Sequence, residues 1–311
     1  MKAENWPHRL ALFTAVSTLF LLFVGALVTS KGAALAVPDW PTTFGYNPFL
    51  YPWSKMAGNI FYEHSHRLVA SAVGFLTILL ALTLWLREQK KWLRWLGAVA
   101  LALIIIQGVI GGLRVVLLEQ TLAIIHAGLA QAFFALTVSL ALFTSQDWQE
   151  RPAKVEVLDA ARLKRLCLLT TGLIYLQGVF GALLRHIGAL LEIHLIFAFL
   201  VALHVILLGA RILRHHAERP ALLPPVLWLS GLLFFQLALG LGAYLGKFVM
   251  NLPGGWAVII STSHVVVGAL MLACSVVLTL RTFGIFTRRK PACAPGLLVA
   301  AAGGGSQELS A

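Results

Sequence analysis

Apolar residues gather along this chain into long runs, each closed off by a short polar or basic stretch, and the runs recur from one end to the other. The pattern predicts helices near residues 10–30, 62–86, 95–115, 118–143, 163–185, 187–212, 225–247 and 256–283. At about 1.5 Å of rise per residue, each reaches across a hydrocarbon layer of about 30 Å. The first run has too long an apolar core for a removable leader and lacks a small-residue cleavage site, so it counts as a span. The expected fold class is an all-α integral membrane protein with eight transmembrane helices.

Small and polar residues punctuate the runs in a repeating way. Odd-numbered runs finish in small residues: Val24-Gly25-Ala26-Leu27, Gln107-Gly108-Val109-Ile110-Gly111, Gln177-Gly178-Val179-Phe180-Gly181 and Gln236-Leu237-Ala238-Leu239-Gly240. Such endings let neighbouring backbones approach closely. Even-numbered runs each carry a histidine in their first turns: His66, His126, His194 and His264. The repeat predicts two pseudo-symmetric four-helix bundles. An N-terminal half covers residues 1–146, a cytoplasmic linker 147–166, a C-terminal half 167–283, and a disordered cytoplasmic tail 284–311.

Composition sharpens this picture. A chain that is 59% hydrophobic and 12% charged, with a mean hydropathy of +0.86, exposes too much apolar surface for a soluble domain. The net charge of +12 would suit nucleic acid, but the positions of the charges argue otherwise. Most lysines and arginines fall in one alternate set of loops, from Arg87–Arg94 to Arg151–Arg165 and Arg281–Lys290, which places both termini in the cytoplasm and implies no nucleic-acid partner. Cys167 and Cys274 lie in spans and Cys293 in the tail, so no extracytoplasmic disulfide is available.

Ionisable side chains at membrane depth cost about 2.5–3.5 kcal/mol each on insertion scales, so those that persist face a protein interior and usually serve a function. The densest group is Glu63-His64-Ser65-His66-Arg67. On a helix Glu63 and His66 share a face, with Arg67 one turn above Glu63. A carboxylate beside an imidazole suits heme ligation next to a proton-handling acid, or a metal site; a hydrogen-bonded helix cap is the alternative. Four histidines at matching depth on helices of one direction favour ligation. Missing cysteines exclude thiolate zinc and iron–sulfur, and Glu63, Glu119 and Glu192 are too few for a carboxylate-rich dinuclear site. Paired imidazoles suit heme, one pair per half: His66 with His126, and His194 with His264.

Arg67, Arg114 and Arg185, near the outer helix ends, are candidate clamps for heme propionates, with interfacial snorkelling as the alternative. The long first outer loop holds Pro38-Asp39-Trp40-Pro41, and Asp39 and Trp40 read as part of a substrate lid unless its rings form an interfacial belt. His186 sits at the interface beside Arg185. His204 lies deeper on a different face with no partner, so a second heme layer is not expected. His8, His215 and His216 read as solvated cytoplasmic residues.

Eight spans in two halves, the Glu63-to-Arg67 motif, the Gln-Gly-x-x-Gly ends of the third and fifth runs and Pro38-Asp39-Trp40-Pro41 together resemble the heme A synthase family, from residue 10 to about 283. The resemblance implies oxidation of the C8 methyl of heme O to a formyl group by successive hydroxylations, the geminal diol losing water, for cytochrome oxidase biogenesis. It implies heme O as substrate at His66 and His126, a resident heme b at His194 and His264, and Glu63 as the acid. Implied partners are a heme O synthase and an electron donor such as quinol. The implied location is the cell (inner) membrane, with heme sites toward the extracytoplasmic side, and a homo-oligomer is compatible with it.

The chain departs from that family at two places. Val37 and Thr43 stand where one class of members carries a cysteine pair, and Leu191 and Leu195 replace the acid and the arginine around His194, which agrees with chemistry in the first half only. A di-heme membrane cytochrome carrying electrons from quinol remains the alternative and needs no Glu63. A repeat-built transporter would need broken helices at the midplane, and no proline lies there. The charge distribution yields a first prediction. Reporter fusions in the Arg87–Arg94 and Arg151–Arg165 loops should report cytoplasm and one near Trp53 the outside; reversal of any of the three overturns the orientation.

Overall fold

A computed structural model describes residues 6–151, 153–250 and 252–288 of the chain. Among them, eight helices are long and apolar enough to cross a membrane, so this is an all-α, multi-pass membrane protein. They are α1 (Trp6–Ser30), α2 (Gly58–Arg87), α3 (Lys91–Val116), α4 (Gln120–Thr144), α5 (Ala160–Ile187), α6 (Leu191–His215), α7 (Leu223–Phe248) and α8 (Gly254–Ile285). All eight runs predicted from hydropathy are helices, most of them extended by a few residues into polar flanks. Hydropathy marks the lipid-crossing part of a helix, whereas backbone hydrogen bonding continues into the interface.

Local chemistry sets several ends. Pro224 and Pro225 open α7, where missing N–H groups cost nothing. Gly188 closes α5 in the left-handed region at φ 69°, and its N–H caps the Leu184 carbonyl. Buried threonines along the spans donate to their own helix, as Thr18 to Thr14, Thr77 to Val73 and Thr282 to Leu278, so their hydroxyls remain satisfied in a dry interior.

Helix α1 packs on α2, α4 and α8; α5 packs on α6, α8 and α4. α4 and α8 also meet each other, and α2–α3, α3–α4, α6–α7 and α7–α8 are neighbours. Every pairing within the first four helices therefore has a counterpart within the last four. Two dry cores lie at the end that bears the termini. One joins Val73, Leu80, Leu84, Leu93, Phe133 and Leu140 of α2–α4. The other joins Leu163, Val205, Leu208, Ile212, Leu229 and Leu278 of α5–α8. The opposite ends of the helices carry the histidines.

The connection after α4 is more ordered than a plain basic linker. A short helical turn, Gln146–Gln149, is followed by β1 (Val155–Val157), which pairs in parallel with β2 (Phe286–Arg288) directly after α8. Residues 284–288, expected to open a disordered tail, thus finish a helix and form a strand; residues 289–311, including Cys293, lie outside the described residues. Phe286 is fully buried in the second core.

His216, expected to be solvated, is only 4% exposed. It lies against the Phe286 ring and 3.3 Å from Asp159 Oδ2, which also accepts from Arg211. Burial would raise the Asp159 pKa, but His216 and Arg211 together hold it below the usual carboxylate value. His8 is likewise engaged, with Nδ1 2.9 Å from the Ala141 carbonyl at the end of α4. Neither contact has a sequence signal, because both partners come from distant segments.

Deleting the Phe286 side chain should cost about 3–5 kcal/mol of stability, as for other fully buried aromatics. Thermal unfolding of Phe286→Ala in detergent measures it, and a wild-type midpoint would show that the β1–β2 tie carries no load.

Candidate functional site

The first outer loop folds back over α2 through its charged residues. Glu63, 5% exposed, accepts from the Leu35 and Val37 amides on Oε2, at 2.8 and 3.0 Å, and from Arg67 on Oε1 at 3.0 Å. Arg67 donates its other terminal N–H groups to the carbonyls of Val37, Asp39 and Thr42. An ion pair this deeply buried is tolerated because nearly every remaining donor and acceptor is matched by loop backbone. The four terminal N–H groups of Arg67 are therefore committed to the loop and Glu63.

Asp39 organises the next turn. Its carboxylate accepts from Thr42 Oγ1 at 2.5 Å, Phe44 N at 2.7 Å and Gly45 N at 2.9 Å, with Gly45 at φ 78°. Burial pushes its pKa up, and the hydrogen bonds from Gly45, Thr42 and Phe44 outweigh it, leaving the carboxyl below its usual value. The Asp39 contribution is then complete above the ordinary carboxylate pKa and is lost only as pH falls through the lowered one. Trp40 lies flat on α3 at Gly112, where an added Cβ would come within 2.2 Å of the indole.

Val37 and Thr43 are fully buried. Val37 uses its N–H on Glu63 and its carbonyl on Arg67; the Thr43 hydroxyl is 3.1 Å from His64 Nδ1. Hydrogen bonds and burial hold the two positions where the resemblance implies a cysteine pair in other members. His64, 1% exposed and packed on Tyr51, belongs to this anchoring set. Sequence reading passed over it because the neighbouring His66 drew the chemical argument.

Within the spans, the four histidines share one local geometry. A Cβ added at Gly25 would approach the His66 Cε1 at 3.1 Å; at Gly111, His126 at 3.0 Å; at Gly181, His194 at 3.2 Å; at Gly240, His264 at 3.1 Å. Each imidazole on an even helix thus occupies space that a glycine on the preceding odd helix leaves empty. Each of the four Nδ1 atoms is buried without a hydrogen-bond partner. Orphaned buried nitrogens are costly, so four of them in matching positions point to a ligand.

The rings of His194 and His264 have centroids 6.4 Å apart. Two metal–imidazole bonds of about 2.0 Å each, added to the ring radii, come to about 6 Å. His66 likewise lies in the electrostatic field of His126, with Arg114 and Arg67 nearby. Among the described residues no three His, Cys, Asp or Glu side chains gather into a metal-holding group. Two imidazoles per pair fit a metal whose other positions are filled by a macrocycle, as in heme.

Arg114 is half-buried without a hydrogen bond to a described residue, within the fields of Glu63, His126 and His186. Arg185 reaches α1 instead, donating to Ala26 O at 2.8 Å and Ser30 Oγ at 2.5 Å. His204 Nδ1 bonds its own helix at Leu200 O, 2.9 Å away, and is satisfied there. Gln107, Gln177 and Gln236, which the sequence offers only as part of the small-residue endings, stand one turn before the glycines and carry buried, unpaired Oε1 atoms. Their spacing to those glycines was the signal.

Comparison with known proteins brings these residues into context. The family model described as cytochrome oxidase assembly protein, COX15-CtaA, matches residues 8–194. The heme A synthase of Shouchella clausii is 31% identical over 186 residues, 59% of this chain and 60% of that protein. That of Alkalihalophilus pseudofirmus is 31% identical over 147 residues, 45% of this chain and 47% of its own. That of Staphylococcus haemolyticus is 29% identical over 186 residues, 57% and 58% respectively. The matches thus span about three fifths or less of these relatives.

The Trp40 seat generates a prediction. Gly112→Ala should lift the indole and loosen the loop, so trypsin should cut at Lys55 several-fold faster while helix content is unchanged. An unaltered cleavage rate would show that the loop is held without this contact.

Proposed function

Because the chain belongs to the cytochrome oxidase assembly protein family, we propose that it is a membrane oxidoreductase of the heme A synthase type, converting the C8 methyl of heme O to a formyl group. The observation that carries this reading is the set of four glycine-seated imidazoles in two pairs, each with a buried, unpartnered nitrogen. His66 and His126 hold the substrate heme O under the Glu63–Arg67 loop. His194 and His264 hold a resident heme b, which when bound supplies one-electron transfer to and from the substrate site. The halves are assigned as 1–146 and 167–283, and the corresponding helix pairings in each support that division. Charge asymmetry supports cytoplasmic termini and heme sites toward the outer face of the cell membrane. A heme O synthase as supplier, an external oxidant that takes up the electrons removed from the methyl, and an electron donor such as quinol are the partners this scheme calls for.

This chain's own residues then divide the work. Arg114, which makes no hydrogen bond to a described residue, neutralises a propionate beside His126, and Arg185 serves the second pair through the N–H groups that α1 leaves free. Glu63 fixes the loop and, through the lone-pair position that Leu35, Val37 and Arg67 leave open, accepts a proton one turn from His66. Asp39 shapes the lid and Trp40 closes it against α3, excluding water.

A competing reading draws on the same bonds. Because three donors occupy the Glu63 carboxylate, its whole role can be to anchor the loop, as a di-heme electron carrier would need. Glu63→Gln separates the two. It should leave both hemes bound and stop formyl production, so heme O or a hydroxylated form accumulates; normal heme A by mass would refute a catalytic Glu63. In the second pair, His194→Ala or His264→Ala should abolish the low-spin heme b spectrum while the helices persist. Retention of that spectrum in both variants would remove heme b from this site.

A further inference from the structure

Four odd helices seat four imidazoles, yet only three carry a glutamine one turn before the seat. Gln107, Gln177 and Gln236 each stand four residues before the seating glycine, at Gly111, Gly181 and Gly240. Gln177 Nε2 lies 3.4 Å from His194 Nε2, and Gln236 Nε2 lies 3.3 Å from His264 Nε2. Gln107, 6% exposed, donates instead to the backbone carbonyl of His126 at 3.1 Å. All three Oε1 atoms are buried without partners. On α1 the position four before Gly25 is Leu21, an apolar side chain packed against the first core.

A glycine seat fixes how far an imidazole enters, but leaves it free to turn about its Cβ–Cγ bond. A second contact on the ring removes that freedom, and outer partners of this kind commonly change ligand affinity by tenfold or more; a contact on the histidine's backbone fixes only where its helix stands. The second pair has such a contact on both rings; in the first pair Gln107 ties only the backbone of α4 at His126, and no amide among the described residues is placed to reach His66 at all. A resident group benefits from two oriented ligands. A substrate must leave after each turnover, which one unrestrained ligand permits.

We propose that Gln107, Gln177 and Gln236 are positioning residues for their histidines, and that Leu21, in the place of a fourth glutamine, makes His66 the ligand that releases. The inference rests on the heme reading above and adds to it which of the four ligands exchanges. It concerns orientation and exchange, not the oxidation step.

The test is heme transfer from the purified holoprotein, loaded with heme O, to excess apomyoglobin, with the low-spin electron paramagnetic resonance spectrum recorded alongside. Wild type should release heme in two phases, the faster one absent in His66→Ala. Leu21→Gln should slow the fast phase several-fold. Gln236→Met keeps side-chain length but removes the amide; it should speed the slow phase several-fold and shift the low-spin signal, while Gln236→Glu, which can still contact the ring, should move both less. Unchanged phases in Leu21→Gln, or an unchanged signal and slow phase in Gln236→Met, overturn the proposal. Should Gln236→Met fail to insert, Gln177→Met tests the same pair and Leu21→Gln the other. Wild-type protein that holds no heme after loading would overturn the heme reading and this inference together, whereas bound heme with unaltered rates overturns this inference alone.

Discussion

An imidazole lodged between two membrane helices needs one of them to have no side chain at the point of contact. That steric condition organises the part of the molecule that carries the chemistry. Gly25, Gly111, Gly181 and Gly240 each meet it, and the Cε1 of the facing histidine fills the place of the absent Cβ at 3.0–3.2 Å. Because every seat lies near the end opposite the termini, large apolar residues are pushed to the other end, where the two dry cores form. Packing and the candidate chemistry are thus separated along the helix axes: tight hydrophobic contact at one depth, glycine-seated imidazoles at the other.

The loop over the first pair of histidines follows a second constraint, that a buried charge must be matched from every side. Glu63 and Arg67 satisfy each other, and loop backbone satisfies what is left over. The second half has leucines at the matching places, Leu191 and Leu195, and only a short turn between α5 and α6. A loop is therefore held down over α2, where the residues to hold one exist. The two halves share a helical plan and differ in their surface.

How much of this was legible in the sequence follows from the range of each interaction. The eight spans came from composition within single segments, and all eight are present. Matching depth of the four histidines was legible because a regular helix turns residue number into height. The role of the glycines was visible only as a weak small-residue ending, since the ring that needs each gap sits on another helix. Arg67 shows the limit most clearly. Its spacing to Glu63 was read correctly, but its remaining partners, the carbonyls of Val37, Asp39 and Thr42, are backbone atoms that no residue type announces. His216 was misread for the same reason: Asp159 and Phe286, its partners, lie far away in the chain.

The pairing of β1 with β2 carries a consequence for how the molecule is made. Val155–Val157 precede α5, while Phe286–Arg288 follow α8, so the strand in the middle of the chain meets its partner only after the last membrane span has been synthesised. Until then the first four helices reside in the bilayer without the tie that fastens the linker to the end of α8. The contacts of α8 with α1 and α4 form equally late. A ribosome that stalls before α8 therefore leaves a membrane-inserted chain whose Val155–Val157 segment has no strand to pair with.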